Sequence, residues 1–202
     1  MEKSSGTSER VDENVRDEKY FAHPVVPALR SEEQLQKAAE SMATSVFLLY
    51  GDLMSLKNVV KYLHDHGKRV FVHLDLIKGL GKDESAVEYL KTQILADGMI
   101  TTKGNLITVA KKVGLVPIQR IFLLDSQSLT TGIAQIKSHR PDYIEVLPGL
   151  IPDLIQQIVQ ETGISVITGG LIKTVQQAME ALKKGAMAVS TSEESLWNLK
   201  LS

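Results

Sequence analysis

The chain contains no cysteine, so disulfides, thiolate nucleophiles and cysteine-based zinc sites are excluded. Aromatic residues make up only 5% of its 202 positions, and 23 Lys and Arg against 24 Asp and Glu leave a net charge of −1. No global basic field therefore announces nucleic acid or an anionic membrane. No apolar run approaches the roughly 20 residues that a membrane helix needs. The N-terminal stretch MEKSSGTSERVDENVRDEKY lacks the apolar centre of a secretory signal, and a soluble cytoplasmic protein is the expectation. The five histidines are scattered and carry no carboxylates at metal-ligand spacing. Walker and dinucleotide fingerprints are also missing, so neither metal nor cofactor is expected.

What is there is an ordinary globular composition, 43% hydrophobic, in a chain long enough to bury a substantial core. Residues 1–22 are polar, charged and non-periodic, and read as a disordered tail. From His23 to residue 202 the pattern is that of one domain. Eight apolar, β-rich runs fall at 25–29, 46–52, 69–77, 98–104, 118–125, 143–149, 165–170 and 186–192. Between them lie amphipathic stretches with helix punctuation. SEEQLQKAAES starts on a Ser N-cap, IPDLIQQIVQETG has an early Pro and ends on Gly163, and SLKNVVKYLHDHG ends on Gly67. Strands alternating with helices imply parallel pairing, because parallel neighbours need a crossover. Eight such units predict a small α/β protein of the TIM type, a closed (β/α)8 barrel. An open doubly wound sheet is the competing architecture, but it expects a Gly-rich fingerprint after its first strand, where this chain reads ALRSEEQ.

The last two runs stop in small residues, VITGG at 166–170 and AVSTS at 188–192. Loops after the seventh and eighth strands of such barrels often bind phosphate. A phosphate dianion wants many N–H donors and no bulky side chain in front of the backbone. Gly169 and Gly170 allow that approach, Ser190, Thr191 and Ser192 offer hydroxyls, and a helix starting near Glu193 would add free amides. The bland reading is a tight turn followed by an S/T-x-x-E capping box, Ser190 with Glu193 or Thr191 with Glu194.

Barrel chemistry sits at the C-terminal ends of strands, and polar residues occur there. His73 and Asp75 share one face, so Asp75 could hold ligand hydroxyls or form a buried structural pair with His73. Lys103 ends the fourth run, as a ligand cation or a solvated loop lysine. Glu145 lies amid apolar neighbours and needs a partner, with Lys103, Arg120 or a ligand hydroxyl as candidates. Gln119 and Arg120 open the fifth run, near the barrel bottom, and read as structural. No spacing selects a catalytic group.

Taken together, DLIKGLGKDE, IQRIFLLDS, IEVLPG and VITGGLI with STS resemble the bacterial glycerol uptake operon antiterminator family, from about Val26 to Trp197. The resemblance implies a regulator and not an enzyme: a protein that answers to glycerol 3-phosphate, binds the leader of glycerol-utilisation mRNA and lets transcription pass a terminator. The likeness supplies the ligand and fits the reading from barrel geometry, which puts phosphate at Gly169, Gly170 and Ser190 to Ser192, with Asp75, Lys103 and Glu145 as candidates for the glycerol end. The alternative is a barrel isomerase or lyase acting on a small phosphorylated metabolite. Short basic pairs such as Lys111-Lys112 suit solvated helix ends, so no residue is assigned to RNA, and a homo-oligomer is left open.

Overall fold

The structure, a computed structural model, describes residues 17–200. Eight parallel strands close into a barrel in chain order: β1 (Val25–Leu29), β2 (Ser45–Leu48), β3 (Arg69–His73), β4 (Gly98–Thr101), β5 (Val116–Phe122), β6 (Tyr143–Leu147), β7 (Val166–Gly169) and β8 (Ala188–Thr191). Seven helices return the chain: α1 (Leu35–Glu40), α2 (Leu56–Asp65), α3 (Glu84–Tyr89), α4 (Gly104–Lys112), α5 (Ser126–His139), α6 (Pro152–Thr162) and α7 (Val175–Lys183). After β8, among the described residues, a 3-10 turn follows, Glu194–Leu196. The open-sheet alternative is thereby excluded, since β8 pairs with β1 through Val25–Val189 and Val26–Ser190.

Period-two alternation divides the strands into two buried layers. Val25, Leu29, Val46, Leu48, Val70, Val72, Met99, Ile144, Val146, Val166 and Val189 face outward into the layer shared with the helices. Val26, Ala28, Phe47, Phe71, Ile100, Ile118, Tyr143, Ile167 and Ala188 fill the barrel interior. Burial on both faces explains why the strands read as near-continuous apolar runs.

Of the tail expected over residues 1–22, residues 1–16 lie outside the described residues. Residues 17–21 depart from the expectation: they are helical, and Tyr20 and Phe21 are buried. Phe21 meets Phe71 with ring centroids 5.5 Å apart and Tyr143 at 5.0 Å, while Tyr20 stands edge-on to Phe71 at 5.6 Å. Ser45 Oγ donates to the Tyr20 carbonyl. The two aromatics thus plug the barrel at the N-terminal ends of its strands and leave the opposite end as the open mouth. Trp197 is buried within the chain and donates from Nε1 to Thr191 O at 2.9 Å.

Candidate functional site

A cavity of about 650 Å³ opens at the C-terminal ends of the strands, lined by Ala28, Arg30, Leu49, Leu76, Arg120, Glu145, Leu147, residues 170–173 and residues 190–193. Its floor is an ion pair. Arg120 Nε donates to Glu145 Oε2 at 2.7 Å, and Ser190 Oγ donates to Glu145 Oε1 at 2.7 Å. Arg120 is 8% exposed and Glu145 1%, so each charge needs the other: an uncompensated buried charge costs several kcal/mol. Parallel register delivers the pair, with Arg120 of β5 directly opposite Glu145 of β6.

The loops after β7 and β8 form one wall. Gly169 pairs with Ser190 in register. A Cβ on Gly169 would sit 2.0 Å from Ser190 Oγ and 3.3 Å from Glu145 Oε1. Glycine there is the condition for the Ser190–Glu145 hydrogen bond. Gly170 follows at φ +73° and Leu171 at φ +64°. A left-handed leucine costs energy and is retained mainly where function fixes the backbone. Thr191 Oγ1 donates to Ile172 O at 2.8 Å and fastens the β7 loop to β8. Arg30 and Lys173 stand exposed at the rim. Among the described residues neither is paired with a carboxylate. Three cations (Arg30, Arg120, Lys173) against two carboxylates (Glu145, Glu193) leave the lining with one excess positive charge.

Of the residues proposed from sequence, Gly170, Ser190, Thr191, Ser192 and Glu145 line this cavity. Gly169 lies just behind them. Asp75 and Lys103 are not part of the lining. Asp75 follows β3 in a 3-10 turn and accepts from Thr101 Oγ1 (3.1 Å), Thr102 N (2.8 Å) and Thr102 Oγ1 (3.1 Å). Its carboxylate ties the β3 and β4 ends together. Lys103 Nζ reaches Lys82 O at 3.2 Å, away from Glu145. The capping boxes read at Ser190 and Thr191 do not form, because Ser190 is committed to Glu145 and Glu193 caps the turn without a side-chain bond. That turn spans three residues, too short to supply the helix amides expected near Glu193.

Arg120 is a correction. Strand β5 starts at Val116, two residues earlier than the run suggested, which lifts Arg120 from the barrel bottom to the cavity floor. Arg30 and Lys173 escaped notice in the sequence. Their one signal is a cation soon after a strand end, one residue past β1 for Arg30 and four past β7 for Lys173. Several basic pairs are internally employed: Lys68 donates to Ser41 O and Ala43 O, Arg69 pairs with Asp97, Lys111 with Asp142 and Lys184 with Asp153.

His73 lies inside the barrel beside this floor, and its Nδ1 is buried with no hydrogen-bond partner among the described residues. Burial first, then the Arg120 cation, pushes its pKa down from 6.5 to about 4, against the pull of Asp75. The unfolded chain therefore binds the extra proton first as pH falls. Stability is full above pH 6.5 and declines toward pH 4, by roughly 3 kcal/mol if the whole shift is realised. Urea titrations at pH 7 and pH 4.5 should show His73→Leu losing less stability across this window than the parent chain.

Among the described residues no cluster of His, Asp and Glu suits a metal ion, and no helix is long and apolar enough to cross a membrane. Comparison with known proteins gives consistent relatives. A glycerol uptake operon antiterminator regulatory protein from Listeria monocytogenes superposes with a TM-score of 0.84 at 40% identity, over 87% of this chain and 95% of that one. A glycerol uptake operon antiterminator-related protein from Thermotoga maritima gives 0.77 at 38% identity, over 86% and 96%. The uncharacterized protein YgcP of Escherichia coli K12 is 33% identical over 88% of this chain and 93% of its own length. Residues 25–197 match a family described by its response to glycerol 3-phosphate, and the chain accordingly belongs to the glycerol-3-phosphate responsive antiterminator family.

Proposed function

We propose that this protein is a cytoplasmic transcription antiterminator that takes glycerol 3-phosphate into the barrel mouth and, so loaded, binds the leader mRNA of glycerol-utilisation genes. The observation that carries the reading is the pairing of two unlike ends in one cavity. A Gly-rich wall with Ser192 and the unpaired rim cations Arg30 and Lys173 suits a phosphate dianion. The Glu145–Arg120–Ser190 floor suits the hydroxyls of a small polyol, since a carboxylate accepts and a guanidinium donates. The phosphate end would settle against Gly170 and Leu171, whose backbone conformation is already bent to receive it.

Coupling to RNA follows from population shift: a ligand moves an equilibrium only by its preference for one state. Glycerol 3-phosphate at a hundredfold excess over Kd should add about 2.7 kcal/mol of stability, a rise of roughly 5–10 °C in Tm for a domain of this size. Glycerol or inorganic phosphate alone should give far less. The test is a leader-RNA gel shift with and without glycerol 3-phosphate, with phosphorus NMR of the same mixtures. RNA retention that rises with the ligand, while the ligand stays unchanged, supports the regulator. Chemical conversion of the ligand, or retention indifferent to it, overturns it.

A further inference from the structure

Of the eleven large apolar side chains exposed among the described residues, nine lie at the open end of the barrel. Six of them, Phe122, Leu124, Leu150, Ile151, Leu171 and Val175, are 41 to 84% exposed and lie in or at the ends of three consecutive connections, those after β5, β6 and β7, with Phe122 closing β5 and Val175 opening α7. Backbone hydrogen bonds tie the loops side by side, Leu123 N to Leu147 O at 2.8 Å and Gly149 N to Gly170 O at 3.1 Å. The six residues therefore form one continuous crest along a single side of the mouth. We infer that this crest is a self-association surface, on which a second copy of the chain docks crest to crest.

Charge argues for that occupant. The segments 122–126 (FLLDS) and 147–153 (LPGLIPD), which supply four of the six crest residues, contain no Lys or Arg, and the third, 170–175 (GLIKTV), carries one cation, Lys173. Their two carboxylates are already used: Asp125 caps α5 by accepting from Ser128 N at 2.7 Å, and Asp153 pairs with Lys184 at 2.7 Å. Along those first two segments a phosphate backbone or an anionic lipid surface would find no counter-charge, and Lys173, at the cavity edge of the crest, is the single cation in the three segments. The part of the crest formed by Phe122, Leu124, Leu150 and Ile151 is an apolar strip without a cation, complementary to itself under a two-fold axis, where each residue meets its equivalent or a near neighbour.

Area argues the same way. The crest presents on the order of 500 Å² of apolar surface, at the upper end of what monomers expose, and with its polar rim it approaches the ~800 Å² per partner of a standard interface. Leu171 belongs both to the crest and to the wall of the cavity, so the docked copy would border the mouth without filling it.

Sedimentation equilibrium of the full chain tests the proposal without reference to any ligand. The parent chain should be dimeric at ~10 µM, within the range that interfaces of this size hold. Leu124→Glu should raise the dimer dissociation constant by at least ~100-fold, since two buried unpaired carboxylates would face each other. Met42→Glu, an exposed apolar position at the opposite end, should leave it unchanged. Because Leu124 is mostly solvent-exposed, circular dichroism should show both variants folded. A parent chain that stays monomeric at ~100 µM, ten times the concentration given above, overturns the inference, as does a dimer that survives Leu124→Glu. If the chain is monomeric and Leu124→Glu instead weakens leader-RNA retention, the crest belongs to nucleic acid and the inference fails.

Discussion

Arg120→Met is expected to lower the unfolding free energy by about 3–5 kcal/mol, whereas Arg120→Met combined with Glu145→Leu should recover most of that loss. The reason lies in what each substitution leaves behind. Arg120 Nε and Glu145 Oε2 are 2.7 Å apart, in a site where neither residue is more than 8% exposed. Removing the guanidinium alone strands a carboxylate whose one remaining described donor is Ser190. Removing both charges takes away the desolvation cost together with the attraction, and two apolar side chains of similar volume can fill the space. Urea denaturation of the parent, both single variants and the double variant gives the cycle directly. A double variant as unstable as either single one would show that the pair is not an isolated unit. The expected outcome also separates stability from function: the double variant should fold and yet gain no thermal protection from glycerol 3-phosphate. That outcome would show an ion pair that contributes little net stability and is kept for binding.

Much of this arrangement was legible in the sequence, and its limits have physical causes. The eight apolar runs contain or overlap all eight strands, because a sheet buried on both faces leaves an unambiguous hydrophobic trace. Boundaries were read less well. The third run, 69–77, covers β3 and the 3-10 turn after it, since Leu74 and Leu76 continue the apolar pattern while the backbone has left the sheet. β5 was started two residues late because Val116-Pro117 resembles a loop. Proline lacks only an N–H, however, and Pro117 still accepts through its carbonyl from Asp142 N at 3.1 Å. That slip puts Arg120 at the barrel bottom and hides its place on the cavity floor. α5 is weakly patterned, SQSLTTGIAQIKSH, and its clearest signal is the capping aspartate Asp125. The barrel plug was concealed by composition: Tyr20 and Phe21 close a stretch that is otherwise charged, and a window average dilutes two aromatics. In the site, Glu145 was found because a carboxylate inside a strand demands a partner. Asp75 lies off the cavity lining, which the sequence could not show, because strand parity gives only the face a residue takes. It does not show that Thr101 and Thr102 capture the carboxylate first.

Dihydroxyacetone phosphate is expected to bind ~10- to 100-fold more weakly than glycerol 3-phosphate, although the two differ only in a ketone replacing the middle hydroxyl; the loss corresponds to one hydrogen bond to a charged group. A carboxylate can only accept. Glu145 takes Arg120 on one oxygen and Ser190 on the other, and its remaining lone pairs face a cavity where the ligand must supply the donors. A hydroxyl does so. A ketone sets its own lone pairs against those of Glu145 and brings no donor in place of the hydroxyl, and a site built to hydrogen-bond a substrate hydroxyl rejects the analogue that lacks it. The phosphate wall is indifferent to the change, so both compounds should compete for one cavity and differ in affinity alone. Isothermal titration with each ligand measures the gap, and Glu145→Gln should narrow it, because an amide offers N–H donors to a carbonyl. The phosphate-end variant Lys173→Ala should weaken both ligands alike and keep their ratio. Equal affinity of the parent chain for the two compounds would remove Glu145 from the polyol end of the site, and so would a gap that Glu145→Gln leaves untouched.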